Sequence, residues 1–382
     1  MILNSVTRRQ LCTALAGYLL VPRSASAGAR CATFGAIRWD AQYCNTKGEP
    51  CFEEGRALSP AKWHFRAPVH SRDIGTGELT FDATQQTFDH EIQVAHQAGL
   101  GYWAYLAYGK DGKLDFTHSM MSGLNFHRKS TISSRVNYCL ISTLDTLGRA
   151  KAFDDAIGRI CDLFSDRNYQ RTPDGRPVLF LYYLAALLPG YWANSTFELE
   201  SALKALRARS RKAGHGDPFI VLLHGPPPEA EAVRSQIGAD AISTYGISLG
   251  PNGNAAYSKL ENYIESYWRT EAQVTKAGVV PTVVVGWDSR PRKETPPAYD
   301  KRDYSRIDRQ AHVEIATPGE FATACQKAER FVVDHPSICP YGLVLIYSWN
   351  EYSEGGALAP TIGDPNSSML RAARDTLSSC TK

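Results

Sequence analysis

Eight short apolar runs, most of them separated by helical patterns, constrain the fold of this 382-residue chain more than any other feature. The runs cover residues 34–39, 100–108, 138–142, 177–183, 218–223, 241–247, 279–285 and 342–349. Helical patterns cover residues 84–97, 151–166, 195–212, 229–237, 257–276, 318–334 and 366–378. Strands that alternate with helices pair in parallel through right-handed crossovers, and eight such units can close into a barrel. The sequence therefore predicts an α/β fold, a single-domain (β/α)8 TIM barrel.

The N-terminus predicts an export signal that precedes the barrel. Arg8 and Arg9 are followed by a short apolar stretch and by Ala25-Ser26-Ala27, which is the order of regions in a signal peptide. The paired arginines indicate the twin-arginine route, and the apolar stretch is too short to form a stable membrane anchor. We therefore expect a periplasmic or secreted protein. The predicted parts are a signal peptide at residues 1–27 and one barrel domain at residues 28–382 with an irregular insertion around residues 44–80.

The charge balance argues against a nucleic-acid partner. The chain has 42 basic and 39 acidic residues, and removal of residues 1–27 would leave 39 of each. Eight of the nine cysteines lie beyond residue 27, which fits disulfide bonding in an oxidising compartment, although their spacing does not give the connectivity. Because the chain lacks nucleotide-binding glycine motifs and paired zinc-binding cysteines, we expect neither a cofactor nor a metal. The sequence leaves the oligomeric state open.

Polar and aromatic residues at the predicted strand ends are candidates for a binding site, because the chemistry of such barrels lies at the C-terminal mouth. Aromatic faces suit the C–H faces of sugar rings, and carboxylates suit sugar hydroxyl groups. This pattern favours a polysaccharide or oligosaccharide as the ligand. The candidate binding residues at these ends are Trp39, Asp40, Trp103, Tyr105, Tyr183, His224, Tyr245, Trp287, Asp288, Trp349, Asn350 and Tyr352.

Two carboxylates follow the last predicted strand, in the segment Trp349-Asn350-Glu351-Tyr352-Ser353-Glu354. Hydrolysis of a glycosidic bond uses such a pair, since one carboxyl group protonates the leaving oxygen and the second acts as nucleophile or base. Two carboxylates held close together also push their pKa values apart. The spacing alone also fits a solvated acidic turn, but the neighbouring Trp, Tyr and Asn favour a catalytic site at Glu351 and Glu354.

The last two strands resemble those of family 99-like glycoside hydrolases. The resemblance is carried by Gly286-Trp287-Asp288-Ser289-Arg290-Pro291-Arg292 and by the segment from Trp349 to Gly355, and it covers roughly residues 280–362. The second segment is also similar to the end of a strand in family 71 α-glucanases. Between the two glutamates this chain has Tyr352 and Ser353, where family 99 endomannosidases carry Trp and His. The resemblance therefore implies the barrel and the acid pair, and it does not extend to α-mannoside specificity.

This resemblance implies a retaining, endo-acting hydrolase of α-linked glycans. Glu354 would be the general acid/base, and Glu351 would deprotonate the 2-hydroxyl of the sugar so that this oxygen attacks C1. Direct attack on C1 by Glu351 is the second possible route. Trp287, Asp288 and Arg290 would line the adjacent subsite, with Arg290 contacting either Asp288 or an acidic sugar.

Two other functional classes fit the same sequence. The first is a non-hydrolytic glycan-binding protein of exopolysaccharide secretion, which would keep the barrel and its mouth. The second is a glycosyltransferase-like role, which export argues against because sugar nucleotides are cytoplasmic. The presence of both Glu351 and Glu354 favours the hydrolase, since binding alone does not require an acid pair at this spacing.

Overall fold

The computed structural model describes residues 31–43, 50–75, 77–81, 83–249, 254–299, 303, 305 and 308–380. The predicted signal peptide at residues 1–27 and the beginning of the predicted insertion, residues 44–49, lie outside the described residues. Within the described ranges, no helix combines the length and the apolar character that a membrane crossing requires.

Eight parallel strands form a closed barrel. They are β1 (Thr33–Arg38), β2 (Tyr102–Leu106), β3 (Asn137–Thr143), β4 (Val178–Tyr182), β5 (Phe219–Leu223), β6 (Ala241–Ser243), β7 (Gly278–Val279 and Thr282–Val284) and β8 (Leu343–Tyr347). The first segment of β7 pairs with β6 and the second pairs with β8, which also pairs with β1. Because the two segments of β7 are separated only by Val280 and Pro281, the sheet closes on itself. The predicted (β/α)8 fold is confirmed.

Helices surround this barrel. They are α1 (Pro50–Leu58), α2 (Gln85–Ala98), α3 (Ser122–Lys129), α4 (Asp154–Leu163), α5 (Leu188–Trp192), α6 (Thr196–Lys212), α7 (Pro227–Ile237), α8 (Tyr257–Val274), α9 (Arg290–Glu294), α10 (Pro318–Asp334) and α11 (Ser368–Leu377). In α8, Leu260, Ile264, Trp268 and Glu271 are buried at three- or four-residue spacing, which turns one face of this helix towards the barrel. The sequence patterns did not predict α3, whose eight residues include a glycine and three basic side chains.

The barrel interior is filled with side chains, so the site must lie at its mouth. The Tyr102 ring occupies the interior, and its hydroxyl donates a hydrogen bond of 2.9 Å to the carbonyl oxygen of Val344. Gly35 on β1 makes room for this ring, because a Cβ atom there would lie 2.1 Å from it. Close packing of this kind leaves no channel through the centre.

The segment between β1 and α2 packs over one side of the mouth. After α1 it contains a 3-10 helix (Ala61–Arg66) and a hairpin formed by Ser71–Asp73 and Leu79–Phe81. This segment contacts the loop after β7 at several points. For example, a Glu53 carboxylate oxygen accepts a hydrogen bond of 3.0 Å from the backbone N–H of Ala298.

A disulfide bond joins Cys31, just before β1, to Cys380, just after α11. The bond links positions that are 349 residues apart, with 5.3 Å between their Cα atoms. This confirms the expectation of disulfide bonding. Four further cysteines of the described ranges have free, buried thiols, namely Cys139, Cys161, Cys325 and Cys339.

Candidate active site

Glu351 and Glu354 lie at the mouth of the barrel, in the loop that follows β8. A single 3-10 turn, Tyr352–Glu354, carries the chain from one glutamate to the other, and Gly355 then reverses it with a left-handed backbone at φ 75°. The turn places both side chains in the same recess, where Glu351 is 4% exposed and Glu354 is 8% exposed. The solvated acidic turn considered above therefore does not describe this loop.

Arg292, from α9, is the centre of this recess. Its Nη1 contacts Glu354, and its Nη2 lies 3.3 Å from Glu351 and 3.4 Å from a third carboxylate, Glu54 of α1. Its Nε donates a hydrogen bond of 2.6 Å to the hydroxyl oxygen of Ser353. One buried guanidinium is thus surrounded by three buried carboxylates that come from two different loops of the barrel.

The two candidate catalytic glutamates have different hydrogen-bond partners. One Glu354 oxygen accepts from Arg292, and the other accepts from the hydroxyl of Tyr347 at the end of β8. Glu351 accepts a hydrogen bond of 3.0 Å from the hydroxyl of Tyr245. Its backbone N–H also donates to the Ser348 hydroxyl oxygen at 3.0 Å, which fixes the start of the turn.

The environment of Glu351 favours its protonated form. Burial and the nearby Glu354 carboxylate raise the pKa of Glu351 to about 8, and Glu54 acts in the same direction. The charge of Arg292 and the Tyr245 hydrogen bond act in the opposite direction and only partly offset the increase. Glu351 therefore holds a proton at neutral pH in the free protein.

An open cleft of about 410 Å³ lies beside these carboxylates, at the ends of β4, β5 and β6. The rings of Tyr182 and Tyr245 stack in its wall with centres 4.8 Å apart. Since the Tyr245 hydroxyl also reaches Glu351, this ring connects the cleft to the carboxylate recess. The aromatic residues that line the cleft are Tyr182, Tyr183, His224, Tyr245, Tyr267 and Trp287.

The indole ring of Trp39 packs against the guanidinium group of Arg292. The guanidinium carbon of Arg292 lies 4.9 Å from the centre of the Trp39 ring, which is a cation–π distance. The indole N–H of Trp39 donates a hydrogen bond of 2.6 Å to the Tyr108 hydroxyl. Tyr299 meets the same indole edge-on with ring centres 6.3 Å apart.

Asp288 supports the loop of the site through ion pairs. Arg290 binds both of its carboxylate oxygens, at 2.8 and 2.7 Å, and Arg66 contacts it from the 3-10 helix after α1. Burial alone would raise the pKa of Asp288, but these two arginines outweigh it, so the pKa lies below the ordinary value. The backbone N–H of Asp288 donates to the carbonyl oxygen of Glu354 at 2.8 Å. The guanidinium of Arg290 thus pairs with Asp288, the first of the two expected contacts.

A second buried charge network lies below the recess. Arg38 binds Asp40 at 3.0 Å and Glu91 at 2.7 Å, and the Trp349 indole N–H donates to Glu91 at 2.8 Å. Asn350 joins this network to the mouth, because its amide donates to Asp40 at 3.0 Å. Burial raises the pKa of Asp40 to about 6, although Arg38 opposes the increase.

Several of the residues expected at the mouth form the layer beneath it. Trp103 and Tyr105 are buried on β2, where the Arg38 guanidinium lies over both rings at 4.5 and 5.5 Å from their centres. The Tyr105 hydroxyl is hydrogen-bonded to His127 at 2.9 Å. Among the other sequence-predicted site residues, the side chains of Asp40, Asp288, Trp349, Asn350 and Tyr352 are also almost fully buried.

Three residues of the recess were absent from the predicted site. Arg292 lies within the segment that carries the family resemblance, so its place in the motif was an available signal. Tyr347 is the last residue of β8, a strand-end aromatic like those that were selected. Glu54 had no such signal, because it belongs to the irregular insertion and reaches the site only through the tertiary fold.

The recess contains three carboxylates and one guanidinium group. The three carboxylates converge on this guanidinium group. Across the described ranges, no three His, Cys, Asp or Glu side chains are grouped in a way that could hold a metal ion.

No protein-family model matches the sequence, and no curated protein matches it significantly. Solved structures with a similar fold include a glycoside hydrolase-like protein, with a TM-score of 0.56 and 16% identity over 93% of this chain and 97% of the other. They also include the GH99 endo-alpha-mannosidase from Bacteroides thetaiotaomicron in complex with BIS-TRIS-propane. That match has a TM-score of 0.55 and 15% identity over 89% of this chain and 95% of the other. At these identities, the similarity establishes a shared barrel fold.

Proposed function

We propose that this protein is a glycoside hydrolase that acts on an α-linked glycan after export, with Glu351 and Glu354 as its catalytic pair. The observation that carries the proposal is the placement of both carboxylates in one recess at the barrel mouth, around Arg292 and beside an aromatic cleft. The motif resemblance and the shared fold with a GH99 endo-alpha-mannosidase support the same reaction class.

In the proposed reaction, the 2-hydroxyl of the sugar gives its proton to Glu351 while O2 attacks C1. The bond from C1 to the leaving oxygen breaks, and Glu354 donates its proton to that oxygen. Water then adds to C1 and gives a proton to Glu354, while the C1–O2 bond breaks and O2 recovers its proton from Glu351. The configuration at C1 is retained. In the alternative route, Glu351 attacks C1 directly and forms a glycosyl-enzyme intermediate.

Either route requires Glu351 ionised and Glu354 protonated, whereas the free protein holds a proton on Glu351. Binding of a sugar favours the required state, because a 2-hydroxyl that donates a hydrogen bond to Glu351 stabilises its ionised form. The proton released in this way can be taken up by Glu354, the other carboxylate at Arg292. Substrate binding and protonation of the pair are therefore coupled in this proposal.

A glycan-binding protein without hydrolytic activity is the second candidate. It is favoured by the contacts of Glu354, whose two oxygens both accept hydrogen bonds, from Arg292 and from Tyr347. In that arrangement both oxygens of Glu354 are engaged by protein groups. The aromatic cleft would then serve recognition alone.

The test is the formation of new reducing ends by residues 28–382 on α-mannan, α-1,3-glucan and the host exopolysaccharide. We expect the wild type to cleave at least one of these glycans, and we expect Glu354→Gln to lose this activity. On an aryl α-glycoside whose leaving group needs no protonation, Glu354→Gln should keep its bond-cleaving step, whereas Glu351→Gln should not. Binding to a glycan without cleavage by the wild type would establish the second candidate instead.

A further inference from the structure

Glu54 enters the catalytic recess from a part of the chain that contributes no barrel strand. It lies on α1. Two neighbouring residues of this helix also contact the loop after β7. Glu53 accepts from the backbone N–H of Ala298 at 3.0 Å, and Arg56 donates to the carbonyl oxygen of Pro296 at 2.5 Å. These contacts hold α1 beside Arg292.

Glu54 is connected to both catalytic glutamates through its contacts with Ser353 and Arg292, and it does not line the cleft. Its Oε1 accepts a hydrogen bond of 2.8 Å from the backbone N–H of Ser353, the residue directly before Glu354. Its Oε2 accepts from the Ser353 hydroxyl and lies 3.4 Å from Nη2 of Arg292. Since the side chain is only 1% exposed and both oxygens are engaged, Glu54 has no direct access to a substrate.

We propose that Glu54 is a positioning residue of this active site, which fixes the turn between Glu351 and Glu354 and holds Arg292 between the two catalytic carboxylates. This inference rests on the proposed function. The segment between β1 and α2 then supplies a residue that the active site needs. Accurate placement of reacting groups matters because a displacement of about 1 Å can cost roughly 100-fold in rate.

Glu54 also sets part of the electrostatic environment of Glu351. The charged groups that face Glu351 are Glu354 from its own loop, Arg292 from α9 and Glu54 from α1. Removal of the Glu54 charge takes away a like charge and leaves Arg292 with two carboxylates instead of three. Both changes favour ionisation of Glu351, so its pKa should fall.

Phenol groups also face the carboxylate pair from several elements. Burial raises the pKa of each of them, so they remain neutral where the two glutamates titrate. These phenols belong to Tyr108, Tyr182, Tyr245, Tyr299 and Tyr347.

The test compares Glu54→Gln with Glu53→Gln, a matched change at the adjacent buried glutamate of the same helix. Gln keeps an oxygen that can accept from the Ser353 N–H, so Glu54→Gln removes the charge with little change of shape. We expect kcat to fall about 10- to 100-fold with KM nearly unchanged, and the alkaline limb of the profile of kcat/KM against pH to move to lower pH. Glu53→Gln should keep the wild-type kcat and pH profile, because Gln can still accept from the Ala298 N–H and Glu53 does not contact Arg292.

A measurement that does not depend on activity separates this inference from the proposed function. Carboxyl 13C NMR of glutamate-labelled protein follows the titration of Glu351, with Glu351→Gln to assign the signal. A lower titration midpoint in Glu54→Gln supports the positioning role even if the wild type cleaves no glycan. A wild-type midpoint and a wild-type kcat in Glu54→Gln overturn the inference and leave the proposed hydrolase intact. Thermal unfolding of both variants shows whether a loss of kcat reflects a loss of folded protein.

Discussion

Glu351 is the residue whose protonation most directly links the structure to a measurable activity. Its carboxyl group lies in a buried recess with two other carboxylates, and Arg292 is the compensating positive charge among the described residues. Under the proposed coupling, the free pair carries one proton on Glu351, and this proton must reach Glu354 for catalysis. Because its loss inactivates the pair, we expect kcat/KM to fall with rising pH with an apparent midpoint at about 8, measured on the best glycan substrate.

Removal of the hydrogen bond from Tyr245 is a control that should move the midpoint of the pH profile in a defined direction. It stabilises the ionised form of Glu351, so Tyr245→Phe should move the midpoint to higher pH. An activity that instead rises through pH 8 would show that the active pair carries no proton, and it would contradict the proposed proton transfer from Glu351 to Glu354.

Substitution of Trp287 tests whether the aromatic cleft binds the glycan. Its ring stacks on Tyr347 with centres 5.1 Å apart, so one side is supported by the protein while the residue still lines the cleft. In a Glu354→Gln background that prevents turnover, Trp287→Ala should weaken glycan binding about tenfold, or about 1.4 kcal/mol. Trp287→Phe should retain most of the affinity, and titration calorimetry measures both. Equal affinity in all three proteins would place the glycan elsewhere.

At the scale of elements, α8 contains an unusual buried carboxyl group. Glu271 faces the barrel, is 1% exposed, and neither of its carboxyl oxygens has a hydrogen-bond partner among the described residues. Burial therefore raises the pKa of Glu271 well above its ordinary value. Stability from the buried neutral form is complete below the unfolded-state pKa of about 4.3 and is lost as the pH rises towards the folded-state pKa.

Glu271→Gln removes this ionisation. The free energy of unfolding of the variant, relative to that of the wild type, should increase by about 1.4 kcal/mol per pH unit above roughly pH 4.3, until the folded-state pKa is reached. Urea unfolding between pH 4 and pH 8 measures the difference. Glu265→Gln on the same helix is the control, because Glu265 is paired with Arg269 and its pKa is lowered by that hydrogen bond. Its difference from the wild type should stay constant above pH 5.

The predicted elements agree with the structure where local signals are strong. The pattern for residues 318–334 gives α10 with its observed ends, because Thr317 and Glu320 form a capping box at its start. The orientation of side chains was harder to predict from the sequence than the elements themselves. Trp103 and Tyr105 lie on a continuous apolar strand, whose sequence does not show which side chains end at the mouth and which are buried.

The predicted site depended on residues close to strand ends, which is why Glu351 and Glu354 could be identified and Glu54 could not. Glu54 meets Ser353 across 299 residues of sequence. Such a contact follows from how a loop folds over the barrel, and no local pattern encodes it. The supporting residues of a site are therefore harder to predict than the pair that they support.

At the scale of the whole molecule, the disulfide between Cys31 and Cys380 ties the first barrel strand to the last helix. A bond that closes a loop of 349 residues restricts the unfolded chain strongly, and disulfides of this kind contribute about 2–5 kcal/mol. The double variant Cys31→Ser, Cys380→Ser should lose stability within this range in urea unfolding, while its kcat should stay near that of the wild type. The reason is that the bond joins the chain before β1 to the chain after α11, whereas the carboxylate recess follows β8 and is held by Arg292 and Glu54. A loss of kcat in fully folded double variant would show that the recess depends on the closure of the chain ends, in addition to its own ion pairs.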